Sequence, residues 1–242
     1  MIRFDKFTLS NGLRVLVHKD QSTPIVAFNL LYDVGARDET ENQTGFAHLF
    51  EHLMFGGSIN IKDFDIPLQE AGGENNAFTS NDLTNYYATL PVQNLETAFW
   101  LDSDRMLSLA FSEKSLSVQK NVVIEEFKQR YLNQPYGDVW LLLRPLAYTS
   151  HPYKWATIGK EIAHIERAEM PEVRAFFEKH YGPQNAILCV SGNVDMDDVN
   201  QLAQKYFGPI PAREKYVRSI PSEPKQDCLP ICLLYNAISE LL

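Results

Sequence analysis

Five residues, His48-Leu-Phe-Glu-His52, restrict what this chain can be more than any other part of it. On an α-helix each residue turns the face by about 100°, so positions four apart point nearly the same way. His48 and His52 therefore present two imidazoles to one point, with Glu51 beside them on the same face. Two histidines joined by a carboxylate from elsewhere leave a fourth tetrahedral position open to water, the layout of a catalytic zinc site rather than a structural one. Zinc lowers the pKa of that water towards neutrality, and Glu51 is placed to take its proton. The order is His-x-x-Glu-His, the inverse of His-Glu-x-x-His. One zinc ion per domain and a hydrolytic reaction are the expectation. The bland alternative is two half-buried histidines capping or packing a helix.

The third ligand should be an acid on another element. Residues 115–131, SLSVQKNVVIEEFKQRY, read as an amphipathic helix with Val118, Val122, Ile124 and Phe127 near one another on one side. The helix carries Glu125 and Glu126. Adjacent helical residues diverge by about 100°, so one of the two reaches the metal, and spacing does not choose between them. Without His48 and His52 the pair would read as a solvated face.

A family resemblance runs through these segments. Asn11-Gly-Leu-Arg-Val15, Val34-Gly-Ala-Arg-Asp-Glu39 and Gly45-Phe-Ala-His-Leu-Phe-Glu-His-Leu-Met-Phe-Gly56 resemble the pitrilysin, insulysin and mitochondrial processing peptidase family of inverzincin metallopeptidases. So do Asn76-Ala-Phe-Thr-Ser80, Tyr86-Tyr87, Val122-Val-Ile-Glu-Glu126, His151-Pro-Tyr153, Ile158-Gly159 and Tyr181-Gly-Pro-Gln-Asn-Ala186, in order over roughly residues 3 to 212. The resemblance implies a zinc metalloendopeptidase acting on short or unstructured peptides. It makes Glu126 the third ligand, with Glu125 as its neighbour. Many members carry a supporting Glu seven residues before the ligand, and this chain has Gln119 there. It also implies that Asn76, Ala77 and Phe78 lie on a substrate-binding strand. Later domains of the family, in the same or a partner chain, bring an Arg and a Tyr that hold the substrate and stabilise the oxyanion. Tyr86 and Tyr87 match positions in the first domain and are not that pair. The alternative is a subunit-type, non-catalytic homologue that completes a chamber with a partner. Both histidines and both acids survive here, which favours the catalytic lineage.

The rest of the sequence agrees with an enzyme domain. A 242-residue chain with 45% hydrophobic content has enough apolar material for a sizeable core. A net charge of −9 argues against nucleic acid, whose binding needs basic patches. No run of about 18 apolar residues suggests a membrane span, and MIRFDKFTLS has no hydrophobic leader region. The expected setting is cytoplasmic, or periplasmic if a leader has been removed. Cys189, in an apolar run, reads as a small core residue; Cys228 and Cys232 lack a matching pair to complete a zinc knuckle. His151 and His180 have no partner at ligand spacing and read as structural or surface residues.

The chain order predicts an α+β fold. Strands are expected at 4–9, 13–18 and 25–32, with Asn11-Gly12 as a hairpin turn. The motif helix follows at 44–55, then a helix at 61–71, strands at 74–79 and 84–90, and helices at 94–108, 113–133, 136–148 and 171–180. A strand at 186–191 and a helix at 196–207 complete the unit. A sheet with helices on one side suits this order, and the resemblance implies a two-layer α/β sandwich of the processing-peptidase type. Residues 1–212 are read as the metallopeptidase domain. Residues 213–242 are a Pro- and charge-rich linker with an apolar tail that stops where a second domain of the family should begin.

Overall fold

The structure is a computed structural model and describes residues 2–226. Six strands form one sheet: β1 (Asp5–Thr8), β2 (Arg14–Lys19), β3 (Ile25–Tyr32), β4 (Glu74–Thr79), β5 (Thr84–Pro91) and β6 (Ala186–Gly192). Their order is β1-β2-β6-β3-β5-β4, with β2 and β6 parallel and every other pair antiparallel. The last strand among the described residues thus sits at the centre, and β4 forms an edge. Eight helices accompany the sheet among the described residues: α1 (Phe46–Leu53), α2 (Asp65–Glu70), α3 (Leu95–Leu107), α4 (Glu113–Phe127), α5 (Val139–Ala147), α6 (Ile162–Glu166), α7 (Met170–His180) and α8 (Met196–Tyr206). This is the expected two-layer α/β arrangement.

Strand alternation decides which side is core. Val15, Val17, Val26, Phe28, Leu30, Tyr32, Tyr86, Ala88, Leu90, Leu188 and Val190 are all buried beneath the helices, as period-two patterning requires. The intervening residues, among them Leu16, His18, Asn29, Tyr87 and Phe78, are half-buried or exposed on the other face. Cys189 belongs to this second set and pairs with Leu16 and Asn29 across the sheet. It is therefore not a core residue, because its neighbours Leu188 and Val190 take the core face.

Aromatic packing fixes α1 on this platform. Phe50 is fully buried and stacks on Phe176 (5.3 Å), Phe177 (6.2 Å) and Tyr181 (4.9 Å), tying α1 to α7. A fully buried Phe contributes about 2–3 kcal/mol of transfer free energy. Beneath the helix, the buried Tyr86 hydroxyl donates to the Phe50 carbonyl at 3.3 Å. On α4 the buried side is Leu116, Val123, Ile124 and Phe127. Val118 and Val122, expected on that side, are 48% and 44% exposed. The positions 116, 123 and 127 recur at seven and four residues, and Val118 and Val122 fall off that stripe.

The helix expected to reach 133 ends at Phe127 and continues as a wider π-type turn over Lys128–Leu132. Residues 211–226 have no regular structure, yet they are tied down. Arg213 donates to the carbonyls of Phe177 and Met106, and Arg218 bonds Asp33 and the fully buried Asp38 side chain. Glu223 accepts from the backbone N–H groups of Thr149, Ser150 and His151. Cys228 and Cys232 lie outside the described residues.

Candidate metal centre

The start of α1 is an unusual helix terminus. Gly45 precedes it at φ +89°, and a side chain there would meet the Ile158 carbonyl oxygen at 2.6 Å. Only glycine suits that position, so the terminus has no Ser, Thr or Asp cap of its own. Glu39 takes over from outside the helix, its two carboxylate oxygens accepting the Gly45 and Ala47 N–H groups at 2.8 Å each. Burial pushes the Glu39 carboxyl up to about 8, against the pull of those two backbone donors. Thr44 adds a second anchor: its hydroxyl meets His164 Nδ1 at 2.8 Å and accepts from the Lys160 N–H.

From that fixed start, α1 presents His48, Glu51 and His52 towards β4 and α4. His48 Nε2 lies 3.0 Å from Glu126 Oε2 and 3.3 Å from His52 Nε2, and His52 Nε2 is 3.5 Å from the same Glu126 oxygen. Donors about 2.05 Å from a tetrahedral ion stand about 3.3 Å from one another. The three side chains therefore fit one zinc ion, and they form the single such group among the described residues. Three electron-rich atoms this close repel unless a cation sits among them. Without a metal a proton does that work: burial disfavours charge on His48, but hydrogen bonds and charge from Glu126 and Glu51 prevail and lift it to about 9. The His48 and His52 imidazoles correspondingly hold Glu126 well below the usual carboxylate range, over the opposing effect of burial.

Each remaining candidate has a definite place. Glu51 Oε2 lies 3.6 Å from His48 Nδ1 and accepts the Thr79 hydroxyl. Burial works against its charge, yet His48 and Thr79 keep the Glu51 carboxyl below its ordinary range. Glu125 points away, with a 62% exposed side chain paired to Lys128 at 2.7 Å. Gln119 is half-buried on α4 beside Gly56, just beyond the end of α1. Asn76 and Phe78 are exposed on β4, and Ala77 between them packs against the core. The Ala77 N–H bonds the Asn76 side-chain oxygen rather than β5, so that donor faces the open edge. His151 and His180 stand apart from the cluster. His151 Nδ1 accepts from the Tyr153 N–H, and His180 is fully buried against Phe176 and Tyr216.

Three contributors were not singled out from the sequence. Thr79 could have been found from strand alternation, which puts it on the same side as Ala77. Arg130, with Nη1 3.6 Å from Glu126 Oε1, follows that acid by one helical turn. Glu39 carried no local signal, because its partners are backbone groups six and eight residues on.

Residues 14–146 match the family model described as insulinase, peptidase family M16. The chain belongs to the M16 peptidase family. Residues 168–233 also match the model described as the M16 inactive domain. Among M16 relatives, the zinc protease PqqE of Helicobacter pylori is 34% identical over 232 residues, which are 93% of this chain and 52% of that protein. The mitochondrial-processing peptidase subunit beta of Caenorhabditis elegans is 25% identical over 96% of this chain and 51% of its own length. The crystal structure of a protease from Helicobacter pylori superposes with a TM-score of 0.87 at 33% identity, over 94% of this chain and 55% of that one. Pitrilysin shares the fold, with a TM-score of 0.79 at 22% identity over 93% of this chain and 25% of its own. The chain spans about half the length of the curated M16 relatives it matches. No helix among the described residues is long and apolar enough to cross a membrane.

Proposed function

We propose that this chain is the metal-bearing unit of a zinc endopeptidase that cleaves short or unstructured peptides. In this reading His48, His52 and Glu126 hold one zinc ion and Glu51 is the general base. The observation that carries it is the meeting of those three donors at tetrahedral spacing, with the Glu51 carboxylate beside the His48 ring. Bound zinc supplies Lewis acidity to a carbonyl and to water. Glu51, ionised and half-buried, takes a proton from the attacking water and returns it to the leaving nitrogen. A peptide adds to the open edge of β4 through main-chain hydrogen bonds, so affinity depends little on sequence and a folded protein offers no free strand. Asn76, Ala77 and Phe78 are the residues it meets. The unit works with a second homologous domain or subunit, a reading supported by its spanning half of its relatives' length. That second part contributes donors at the oxyanion, each worth about 3–4 kcal/mol in barrier height.

Metal analysis and hydrolysis of an unstructured peptide, with and without a second family domain, test the assignment. Glu51→Gln should keep zinc and lose hydrolysis, because it removes the proton acceptor and no ligand. Loss of zinc in that variant, or undiminished hydrolysis, would refute the division of roles.

A further inference from the structure

We infer that Thr79 is the positioning residue for Glu51, an inference that rests on Glu51 being the base. A carboxylate only accepts hydrogen bonds, so the Thr79 hydroxyl is the donor to Oε2. The same oxygen faces His48 Nδ1 at 3.6 Å. Oε2 is thereby committed to the protein on two sides, and Oε1 is left as the oxygen for water. A glutamate on a helix has three rotatable side-chain bonds, and among the described residues the Thr79 hydroxyl is the one donor aimed at this one besides the His48 ring. The neighbouring imidazole belongs to the metal cluster and attracts the carboxylate towards it. Thr79 holds it from the strand instead.

The donor itself is rigid. Threonine is stiff at χ1, and Thr79 closes β4 opposite Thr84 of β5, whose own hydroxyl bonds the Val34 carbonyl. The turn that follows is held by the Ser80 N–H to Leu83 carbonyl bond and by Asp82, which pairs with Arg37 and accepts from the Tyr153 hydroxyl. Edge strand and base are therefore joined through one side chain: the strand whose open edge carries Ala77 ends on the hydroxyl that orients Glu51.

Four zinc-loaded forms of the full-length protein decide the matter: Thr79→Val, Thr79→Ser, Glu51→Gln and the Thr79→Val/Glu51→Gln double variant. Each is assayed on an unstructured peptide and crystallised. Thr79→Val should lower kcat about 10- to 100-fold, a share of the 10²–10⁴ that a positioned base supplies, with KM and zinc content unchanged. Thr79→Ser, which keeps the hydroxyl, should restore most of the rate. The double variant should be no slower than Glu51→Gln alone, since two residues acting as one unit do not add. In the Thr79→Val crystals the Glu51 carboxylate should leave its present position. A carboxylate that stays in place overturns the inference, whatever the kinetics. So does a raised KM that Thr79→Ser fails to mend, which would make Thr79 a strand residue only. Wild-type hydrolysis by Glu51→Gln would instead remove the base assignment on which the inference stands.

Discussion

His48 and Glu126, 78 positions apart in the chain, bring an imidazole nitrogen and a carboxylate oxygen to 3.0 Å. Glu125, one residue earlier, turns outward to Lys128. The two acids should therefore respond differently to substitution. Glu126→Gln is expected to weaken zinc by more than about 100-fold, since losing even an outer support of a ligand costs 10–100-fold. Glu125→Gln should leave it unchanged. Competition titration against a chromophoric chelator measures both, and zinc loss in Glu125→Gln would reverse the assignment.

Ala77 offers its N–H to the open edge of β4, where the Asn76 side chain covers it. Proline at this position removes a donor that the existing sheet does not use. Ala77→Pro should fold, keep its zinc and lose peptide affinity, seen as a KM raised about tenfold or more for the cost of a lost hydrogen bond of about 1.5 kcal/mol. Unaltered KM in a folded variant would rule out peptide pairing at this edge.

His180 is fully buried, and neither ring nitrogen has a hydrogen-bond partner among the described residues. Burial, with the Lys179 and Arg218 charges adding to it, pulls its pKa down to about 3. The unfolded chain has an ordinary histidine near 6.5. Below that value protons bind the unfolded state preferentially, so the contribution of neutral His180 is complete above pH 6.5 and is lost as pH falls towards 3. Replacing it with an uncharged ring, His180→Phe, should flatten this acid limb. Relative to behaviour at pH 7.5, the variant should be spared about 2 kcal/mol of destabilisation at pH 5. Urea unfolding at the two pH values reads it directly, and parallel losses in both proteins would contradict it.

Glu39 satisfies two N–H groups at the start of α1 where glycine cannot. Removing a helix cap costs about 0.5–2 kcal/mol, and leaving buried donors unpaired adds to that. Glu39→Ala should lower Tm and loosen the His48 and His52 geometry, so zinc affinity should fall although no ligand has changed. Unchanged affinity in Glu39→Ala would mean that α1 is held by its aromatic packing alone.

Local periodicity explains which parts of the fold could be read in advance. Ile25–Tyr32 and Glu74–Thr79 appear at their expected bounds because strand alternation is written in adjacent residues. The central position of β6 was not legible, since its neighbours Arg14–Lys19 and Ala27–Tyr32 are some 155–175 residues away and pairing across that distance leaves no local trace. The five residues of α6 are too few to show a helical period. On α4, hydrophobicity nominated Val118 and Val122, whereas tertiary packing took Leu116 and Val123. The site divides in the same way. Helical spacing was enough to bring His48, Glu51 and His52 together on one side of α1; it left Glu125 and Glu126 level, because only the position of α4 relative to α1 separates them.

Eight residues of α1 carry both imidazoles and Glu51. A helix so short does not persist by itself in water, where even alanine-rich segments of about 12–15 residues are marginal. What keeps it is Glu39 at one end and the Phe50 stack on α7, whose own residues lie 120 and more positions downstream. Small zinc modules wait for the ion before they fold; α1 instead has protein partners at its start and along its buried side. Under the proposed zinc site, a nascent chain halted before residue 180 would lack the packing that poses the two imidazoles, and a chelator should empty the folded protein without unfolding it.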